Sequence, residues 1–370
     1  MAGEAFAGTG GEAQLPALTG MRVVDFSNHA VGPFATQILS GLGATVIKVE
    51  RPPRGDMERF TEPPMFHACN QGKHSIALDA GNPEDKALLD ALIRDSHVLV
   101  EGFRPGVTAR MGVDFERVRG ELRPDIIYVS LPGFGSTGPY AVRRAYDTEL
   151  RAISGDIAIN KDADGVPHYA HSIPSFDYAC AMYAVIGIMA AWMQRDGTAR
   201  HIESSILGAG LAWAFARLIP PYGEERGMRE HVYRDSDGGY FTVTAADPVL
   251  FRALCDLIGR PDLEKDGRPT VPVEVLNAIM AEEMAKAPRE TWLARLDVAG
   301  VACAPVLEPA EVFADPQVAH LGVIGLEPQP WSRMPIFGLP LQPLAPPPAL
   351  DQHGAAIRAG GWQAVEGASA

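Results

Sequence analysis

Short apolar runs alternate with helical segments over the first 130 residues, and this alternation limits the possible folds more than any other feature of the chain. Met21–Phe26 and Ala44–Glu50 predict buried strands, and Phe34–Leu42 between them predicts a helix. A unit of this size joins parallel strands through a crossover. Two further helix–strand pairs end in predicted strands at His97–Glu101 and Asp125–Ser130. The sequence therefore predicts an α/β domain with a parallel sheet.

The pattern changes after about residue 215, where a second domain is expected. Val232–Val243 predicts a hairpin with its turn at Asp237-Gly238, and helical patterns follow it. A chain of 370 residues is also longer than most single domains. We expect a disordered leader at residues 1–14, a large α/β domain of residues 15–215 and 326–370, and a small α+β domain of residues 216–325.

Composition excludes several classes of partner. The chain has 32 basic and 46 acidic residues, and a net charge of −14 argues against non-specific binding of nucleic acid or of a membrane surface. Its four cysteines show no CxxC spacing, so neither a metal site nor a disulfide framework is predicted. A reducing, cytoplasmic location is therefore expected. The longest apolar stretch, Tyr178–Gln194, predicts a core helix and not a membrane span.

Asp177 lies at the entrance of that apolar helix, three residues after Pro174. At a helix N-terminus the dipole and unpaired N–H groups favour a charged carboxylate, so we expect Asp177 to stay ionised near neutral pH. Such a carboxylate can act as a nucleophile toward an activated acyl group. The alternative is that Asp177 only caps the helix. His29 and His171 are candidate acid–base groups.

Cationic side chains recur close to the predicted strands of this otherwise acidic chain. They are Arg51, Arg54, Lys73, Arg104 and Arg110. Ligands of open α/β sheets bind at the carboxyl ends of the strands, and Arg and Lys bind phosphate there. Each could instead be a solvated surface charge. No GxGxxG fingerprint, Walker loop, GxSxG elbow or HExxH motif is present.

Several motifs, in order from about residue 15 to 345, resemble class III CoA-transferases of the formyl-CoA transferase and carnitine CoA-transferase type. The matching segments include Leu18–Phe26, Gly32-Pro33, Leu42–Glu50, Gly55-Asp56, Asn70–Lys73, Glu101–Gly106, Gly133–Pro139, Tyr146-Asp147 and the helix that follows Asp177. The resemblance implies a large Rossmann-like domain with a smaller domain and an interlocked homodimer. It also implies acyl-CoA and a small carboxylic acid as substrates, with no permanently bound cofactor.

The resemblance also implies roles for individual residues. Asp177 matches the nucleophile, which forms an aspartyl anhydride and then an aspartyl-CoA thioester. The residues expected to bind coenzyme A are Arg51, Lys73, Phe103, Arg104, Arg110 and Met111. The residues expected near the acyl group or the acceptor acid are His29, Ala30, Arg144, Tyr146 and Asp147.

Two other functions stay open at this point. α-Methylacyl-CoA racemases share the fold and move an α-proton with a histidine, an aspartate and a carboxylate of the small domain. Tyr146 occupies the histidine position here, and Asp247 lies near the carboxylate position; a tyrosine phenol ionises only near pH 10, about three units above neutrality, and is a poor base. The other alternative is an inactive CoA-binding scaffold, because Ala30 replaces a glutamine and a glycine-rich loop is missing.

Overall fold

The computed structural model describes residues 14–159, 161, 164–169, 173–219 and 231–366. His171 and residues 1–13 of the predicted leader lie outside this part of the chain. The described residues form two compact units, a large one that ends before residue 220 and resumes at 321, and a small one that extends from 231 to 320.

The large unit contains a six-stranded parallel sheet with the strand order β3-β2-β1-β4-β5-β6. The strands are β1 (Arg22–Asp25), β2 (Thr45–Glu50), β3 (His74–Ala77), β4 (Val98–Glu101), β5 (Ile127–Ser130) and β6 (Arg200–Glu203). This order is that of the Rossmann fold, in which the chain reverses direction across the sheet between β1 and β4. The predicted α/β class with a parallel sheet is confirmed.

Helices connect these strands, as expected for parallel crossovers. They are α1 (Val31–Gly41), α2 (Glu58–Thr61), α3 (Pro63–Cys69), α4 (Pro83–Arg94), α5 (Val107–Met111), α6 (Phe115–Arg117), α7 (Asp147–Ile153), α8 (Asp156–Ile159) and α9 (Ser175–Met193). Helix α10 (Ile206–Ala214) follows the last strand, β6. After residue 321 follow a short hairpin of β12 (Ile324–Gly325) and β13 (Trp331–Ser332), and the helix α16 (Gly354–Gly360).

Both faces of the sheet are covered by apolar side chains, because successive residues of a strand point to opposite faces. In β1, Val23 belongs to a core cluster with α1 and α9, whereas Val24 belongs to a second cluster with α4. Helices α9 and α10 approach closely at Gly210, where an added Cβ would lie 2.0 Å from the ring of Phe176. Gly210 therefore leaves room for the first turn of α9.

Helix α9 is buried on one side only. Ala179, Ala184 and Ile188 are fully buried, whereas Ile186 is 61% exposed and Met193 is 80% exposed. Among the described residues it is the single helix with the length and apolar composition to cross a membrane, and 44% of its apolar window is buried in the protein. The expectation of a core helix thus holds for one of its faces.

The small unit is an α+β structure around its own apolar core. Its three-stranded antiparallel sheet has the order β11-β8-β7, from β7 (His231–Arg234), β8 (Tyr240–Thr244) and β11 (Ala302–Pro305). The other elements are β9 (Glu264–Lys265), β10 (Arg268–Pro269), α11 (Pro248–Leu257), α12 (Val273–Met284), α13 (Arg289–Val298), α14 (Pro309–Val312) and α15 (Pro316–Leu321). The predicted hairpin is present, since β7 pairs with β8 and Arg234 lies opposite Tyr240.

A buried ion-pair network lies beneath the carboxyl ends of β1 and β2. Lys73 Nζ is 3.0 Å from Asp25 Oδ2, Lys48 Nζ is 2.9 Å from Asp56 Oδ2, and all four side chains are fully buried. Burial raises the pKa of Asp25, but Lys73 and Lys48 outweigh that effect and lower it below its ordinary value. Lys48 Nζ also donates to the carbonyl of Ser27 at 2.8 Å. The network therefore ties the loop after β1 to the loop after β2.

We predict that Lys73→Met destabilises the protein by about 3–5 kcal/mol, because it leaves the buried carboxylate of Asp25 without its nearest cation. Urea unfolding measures the loss. Arg119→Met is the control, since it breaks an exposed ion pair with Glu116 and should leave the midpoint almost unchanged. Equal midpoints for Lys73→Met and the wild type would contradict the structural role of the network.

Candidate active site

Two adjoining cavities of the large unit lie at the carboxyl ends of the parallel strands. The larger has a volume of about 800 Å³ and the smaller about 330 Å³. The residues that line both are Asn28, His29, Met57, Gly102, Phe103 and Arg104. They come from the loops after β1, β2 and β4, which is where open α/β sheets bind their ligands.

The larger cavity, called here the arginine cavity, brings together most of the residues predicted to bind coenzyme A. Arg51, Arg104 and Arg110 line it with Phe103 and Met111. Among the described residues, none of the three guanidinium groups has a carboxylate partner within 4.0 Å. Val49, Leu78 and Leu89 add apolar surface. The cavity therefore offers unpaired cationic groups beside apolar walls, which suits an anionic ligand with an extended apolar part.

The smaller cavity, called here the aspartate cavity, contains the predicted nucleophile. Asp177 lines it together with Arg143, Arg144 and Tyr146. Asp177 is the third residue of α9, and its Oδ1 atom is buried without a hydrogen-bond partner among the described residues. A buried carboxylate oxygen without a donor is costly, and such sites are found where a ligand or a reaction uses the group.

The protonation of Asp177 differs from the expectation. Burial raises its pKa to about 7, and the carboxylates of Asp147 and Glu58 act in the same direction. The expected stabilisation of the charged form is not seen among the described residues, where Pro174 occupies the N-cap and Asp177 Oδ1 accepts no hydrogen bond. A larger fraction of Asp177 therefore keeps its proton near neutral pH than is usual for an aspartate. The alternative that Asp177 only caps the helix has no hydrogen bond in its support among the described residues.

Two residues expected near the acyl group line neither cavity. Asp147 accepts hydrogen bonds from the backbone N–H of Phe176 at 3.0 Å and from the hydroxyl of Tyr169 at 3.1 Å. Its observed contacts therefore hold the start of α9, and they give no support to the predicted role in orienting a substrate. Ala30 is 5% exposed and precedes α1 in the apolar core, so its methyl group is closed off from ligands.

Lys73 also departs from its expected role in binding phosphate. It directly precedes β3, so its backbone lies at the amino end of that strand, and its side chain is fully buried. Its ammonium group donates to Asp25, to the carbonyl of Pro33 at 2.8 Å and to Asn70 at 2.9 Å. All three donors of a lysine are thus satisfied inside the protein.

Sequence analysis missed Glu58, whose carboxylate contacts His29. Glu58 Oε1 is 2.7 Å from His29 Nδ1, and its charge contributes to the raised pKa of Asp177. Gly55-Asp56 was recognised as a matching motif, but nothing in the sequence indicates that a carboxylate two residues later turns toward the loop after β1.

The comparisons with known proteins decide the family. The model of CoA-transferase family III matches residues 18–354. The chain belongs to this family. It is similar to the acetyl-CoA:oxalate CoA-transferase of Acetobacter aceti, with 32% identity over 92% of this chain and 94% of the relative. The succinate–glutarate CoA-transferase of Agrobacterium fabrum is also 32% identical, over 93% of this chain and 95% of its own.

Solved structures agree with this assignment. The crystal structure of a CAIB/BAIF family protein from Brucella suis superposes with a TM-score of 0.81 and 32% identity, covering 94% of this chain and 99% of that protein. The family III protein described here is therefore a CoA-transferase, an enzyme whose class uses CoA thioesters as substrates.

The raised pKa of Asp177 predicts a pH-dependent stability. From about pH 4 to about pH 7 the folded chain keeps a proton on Asp177 that the unfolded chain has lost, so this contribution to stability falls as the pH rises. Asp177→Asn removes the effect. The melting temperature of Asp177→Asn minus that of the wild type should therefore increase from pH 5 to pH 8.

Asp196→Asn is the matched control, because Asp196 lies just after the other end of α9, is exposed and has a lowered pKa. Its melting temperature should keep a constant difference from the wild type over the same range. A constant difference for Asp177→Asn as well would show that the carboxyl of Asp177 titrates normally.

Proposed function

We propose that this enzyme transfers CoA between carboxylic acids with the carboxylate of Asp177 as nucleophile and carrier. The observation that carries the proposal is the position of Asp177 in a cavity that adjoins the arginine cavity and shares its lining residues. An acyl-CoA held by Arg51, Arg104 and Arg110 would extend its thioester through the shared boundary toward Asp177.

The proposed reaction begins with attack of an Asp177 oxygen on the thioester carbonyl. The C–S bond breaks, CoA leaves as a thiolate, and the acyl group stays on Asp177 as a mixed anhydride. The thiolate then attacks the Asp177 carbonyl, which releases the first acid and leaves an aspartyl-CoA thioester. The acceptor carboxylate repeats these two steps in reverse. Only the ionised form of Asp177 can start the sequence, so its raised pKa limits the active fraction at low pH.

We further propose that at least one substrate is a small dicarboxylic acid or its CoA ester. Arg104, Arg143 and Arg144 line the aspartate cavity, and a guanidinium group can bind the carboxylate that does not react. The volume of about 330 Å³ limits the acyl group to a small size. Two relatives carry oxalate or glutarate in their names, which supports an acidic acceptor.

The observations favour transfer over racemisation. Asp247, the candidate carboxylate of the small unit, accepts hydrogen bonds from the backbone of Val249 and Leu250 and caps α11. Tyr146 lies in the aspartate cavity where a racemase would need a base. Membership of a family of enzymes likewise favours catalysis over the inactive scaffold.

Trapping the covalent intermediate tests the proposal. After incubation with acetyl-CoA or succinyl-CoA, hydroxylamine should convert Asp177 to a hydroxamate, which mass spectrometry of the peptide detects. Asp177→Asn should give no adduct, whereas the control Asp196→Asn should give the wild-type amount. An adduct that persists in Asp177→Asn, or labelling of another residue, would place the nucleophile elsewhere.

We propose that the enzyme is a homodimer in which the exposed face of α9 is covered. Met182, Ile186 and Met193 form an apolar stripe on that helix, and Trp213 is exposed on the adjacent helix α10. Apolar surface of this kind marks interfaces. Light scattering after size-exclusion chromatography should show a dimer for the wild type and a monomer for Ile186→Glu. The control Val298→Glu changes an isolated exposed side chain and should leave the dimer intact; a monomeric wild type would refute the proposal.

A further inference from the structure

His29 stands at the boundary of the two cavities and lines both of them. Its backbone has a positive φ of 63°, a conformation that costs energy for a residue with a Cβ. The N–H of His29 donates to Asp56 Oδ1 at 3.2 Å, and Asp56 is fixed by its buried ion pair with Lys48. A strained residue that its surroundings hold firmly is typical of a functional position.

The imidazole of His29 is oriented by Glu58. The 2.7 Å contact between Glu58 Oε1 and His29 Nδ1 places the ring proton on Nδ1 and leaves Nε2 for a ligand. The side chain of Glu58 is 15% exposed and that of His29 is 41% exposed, so the carboxylate lies behind the ring and the ring faces the cavities. The second oxygen of Glu58 accepts from the hydroxyl of Thr61 at 2.8 Å, which holds the carboxylate in place.

We propose that His29 is a catalytic residue that stabilises the CoA thiolate, with Glu58 as its positioning residue. This inference rests on the proposed function, because it assigns a partner to the thiolate that leaves when Asp177 attacks. The sulfur of a CoA ester that spans both cavities passes the boundary where His29 lies. A carboxylate behind an imidazole stabilises the imidazolium, and an imidazolium in turn stabilises a thiolate.

The proton and electron balance is simple. When the C–S bond breaks, its electron pair goes to sulfur, and the imidazolium of His29 either pairs with the thiolate or gives it the Nε2 proton. When CoA returns, the neutral imidazole takes that proton back, and the thiolate attacks the Asp177 carbonyl of the anhydride. The first acid leaves as a carboxylate, so the cycle needs no other reactant.

Other charged or titratable groups line the aspartate cavity, but none of them can both stabilise the CoA thiolate and exchange a proton with it near neutral pH. They are Arg104, Arg143, Arg144, Tyr146 and Asp177. Arginine attracts a thiolate but does not release a proton, and a tyrosine phenol does so only at high pH. Asp177 is occupied as the nucleophile. A histidine is the side chain that exchanges a proton near neutral pH.

The test measures the thiol of bound coenzyme A, so it needs no knowledge of the acyl group. Coenzyme A labelled with ¹³C at the carbon next to sulfur is titrated by NMR in complex with the Asp177→Asn protein, which removes the competing carboxylate. We expect the pKa of the bound thiol to lie at least about one unit below that of free coenzyme A, which is about tenfold more thiolate at a given pH.

His29→Asn in the same background should return the thiol to its free pKa. Asparagine tolerates a positive φ, so the loop keeps its conformation. The control is His201→Gln, since His201 lines a neighbouring cavity of about 270 Å³ that contains neither His29 nor Asp177. It should keep the lowered thiol pKa. A thiol pKa that is unshifted in the complex, or that stays lowered in His29→Asn, would overturn the role of His29.

Glu58→Gln tests positioning, because it keeps the shape of the side chain and removes the charge. It should move the thiol pKa part of the way back, while the Kd for coenzyme A, measured at pH 6 where the thiol is protonated both free and bound, stays unchanged; the control Glu62→Gln removes an exposed carboxylate nearby and should change neither. A purely structural role would change the Kd or nothing at all. Failure of the proposed function is distinguishable, because coenzyme A would then not bind saturably or the hydroxylamine adduct would be absent.

Discussion

The buried ion pairs of Lys48 and Lys73 determine the shape of the ligand-binding edge. Two lysines without access to water are tolerable only because Asp25 and Asp56 neutralise them and further oxygens satisfy their donors. The same bonds join the loops after β1 and β2. One loop carries His29 and the other leads to Glu58. The geometry at the boundary of the two cavities therefore depends on buried lysine–aspartate pairs that line neither cavity.

The immediate surroundings of Asp177 differ from those of the arginine side chains, and this difference fits a reaction that separates charge. The arginine cavity has unpaired guanidinium groups, whereas Asp177 has two carboxylates near it and an oxygen without a donor. A carboxylate in such surroundings is more reactive than one neutralised by a cation, at the expense of a smaller ionised fraction. An ion pair with Arg144 would instead lower the pKa of Asp177, so that a larger fraction would be ionised but the carboxylate would be less reactive.

The sequence predicted the four inner strands of the sheet, since strands buried on both faces are apolar runs and their crossovers need helices. It missed the two edge strands, β3 and β6, whose sequences carry polar or charged residues. It placed Arg51 and Arg104 among residues that line one cavity, because residues just after parallel strands meet at one edge, and it singled out Asp177 from its position at the start of an apolar helix. Lys73, Asp147 and Ala30 line neither cavity, contrary to the expectation, because motif position does not give the direction of a side chain. The contact of His29 with Glu58 depends on how two separate loops meet, and the raised pKa of Asp177 depends on its burial. Both are defined only in the folded chain.

The close approach at Gly210 links a residue outside both cavities to the chemistry. Phe176, whose ring lies against that glycine, is the immediate neighbour of Asp177. Any larger residue at 210 must push the ring aside, and the backbone of the first helical turn moves with it. The missing side chain at position 210 thus helps to fix where Asp177 lies, and a larger residue there would move Asp177 without changing any residue that lines the two cavities.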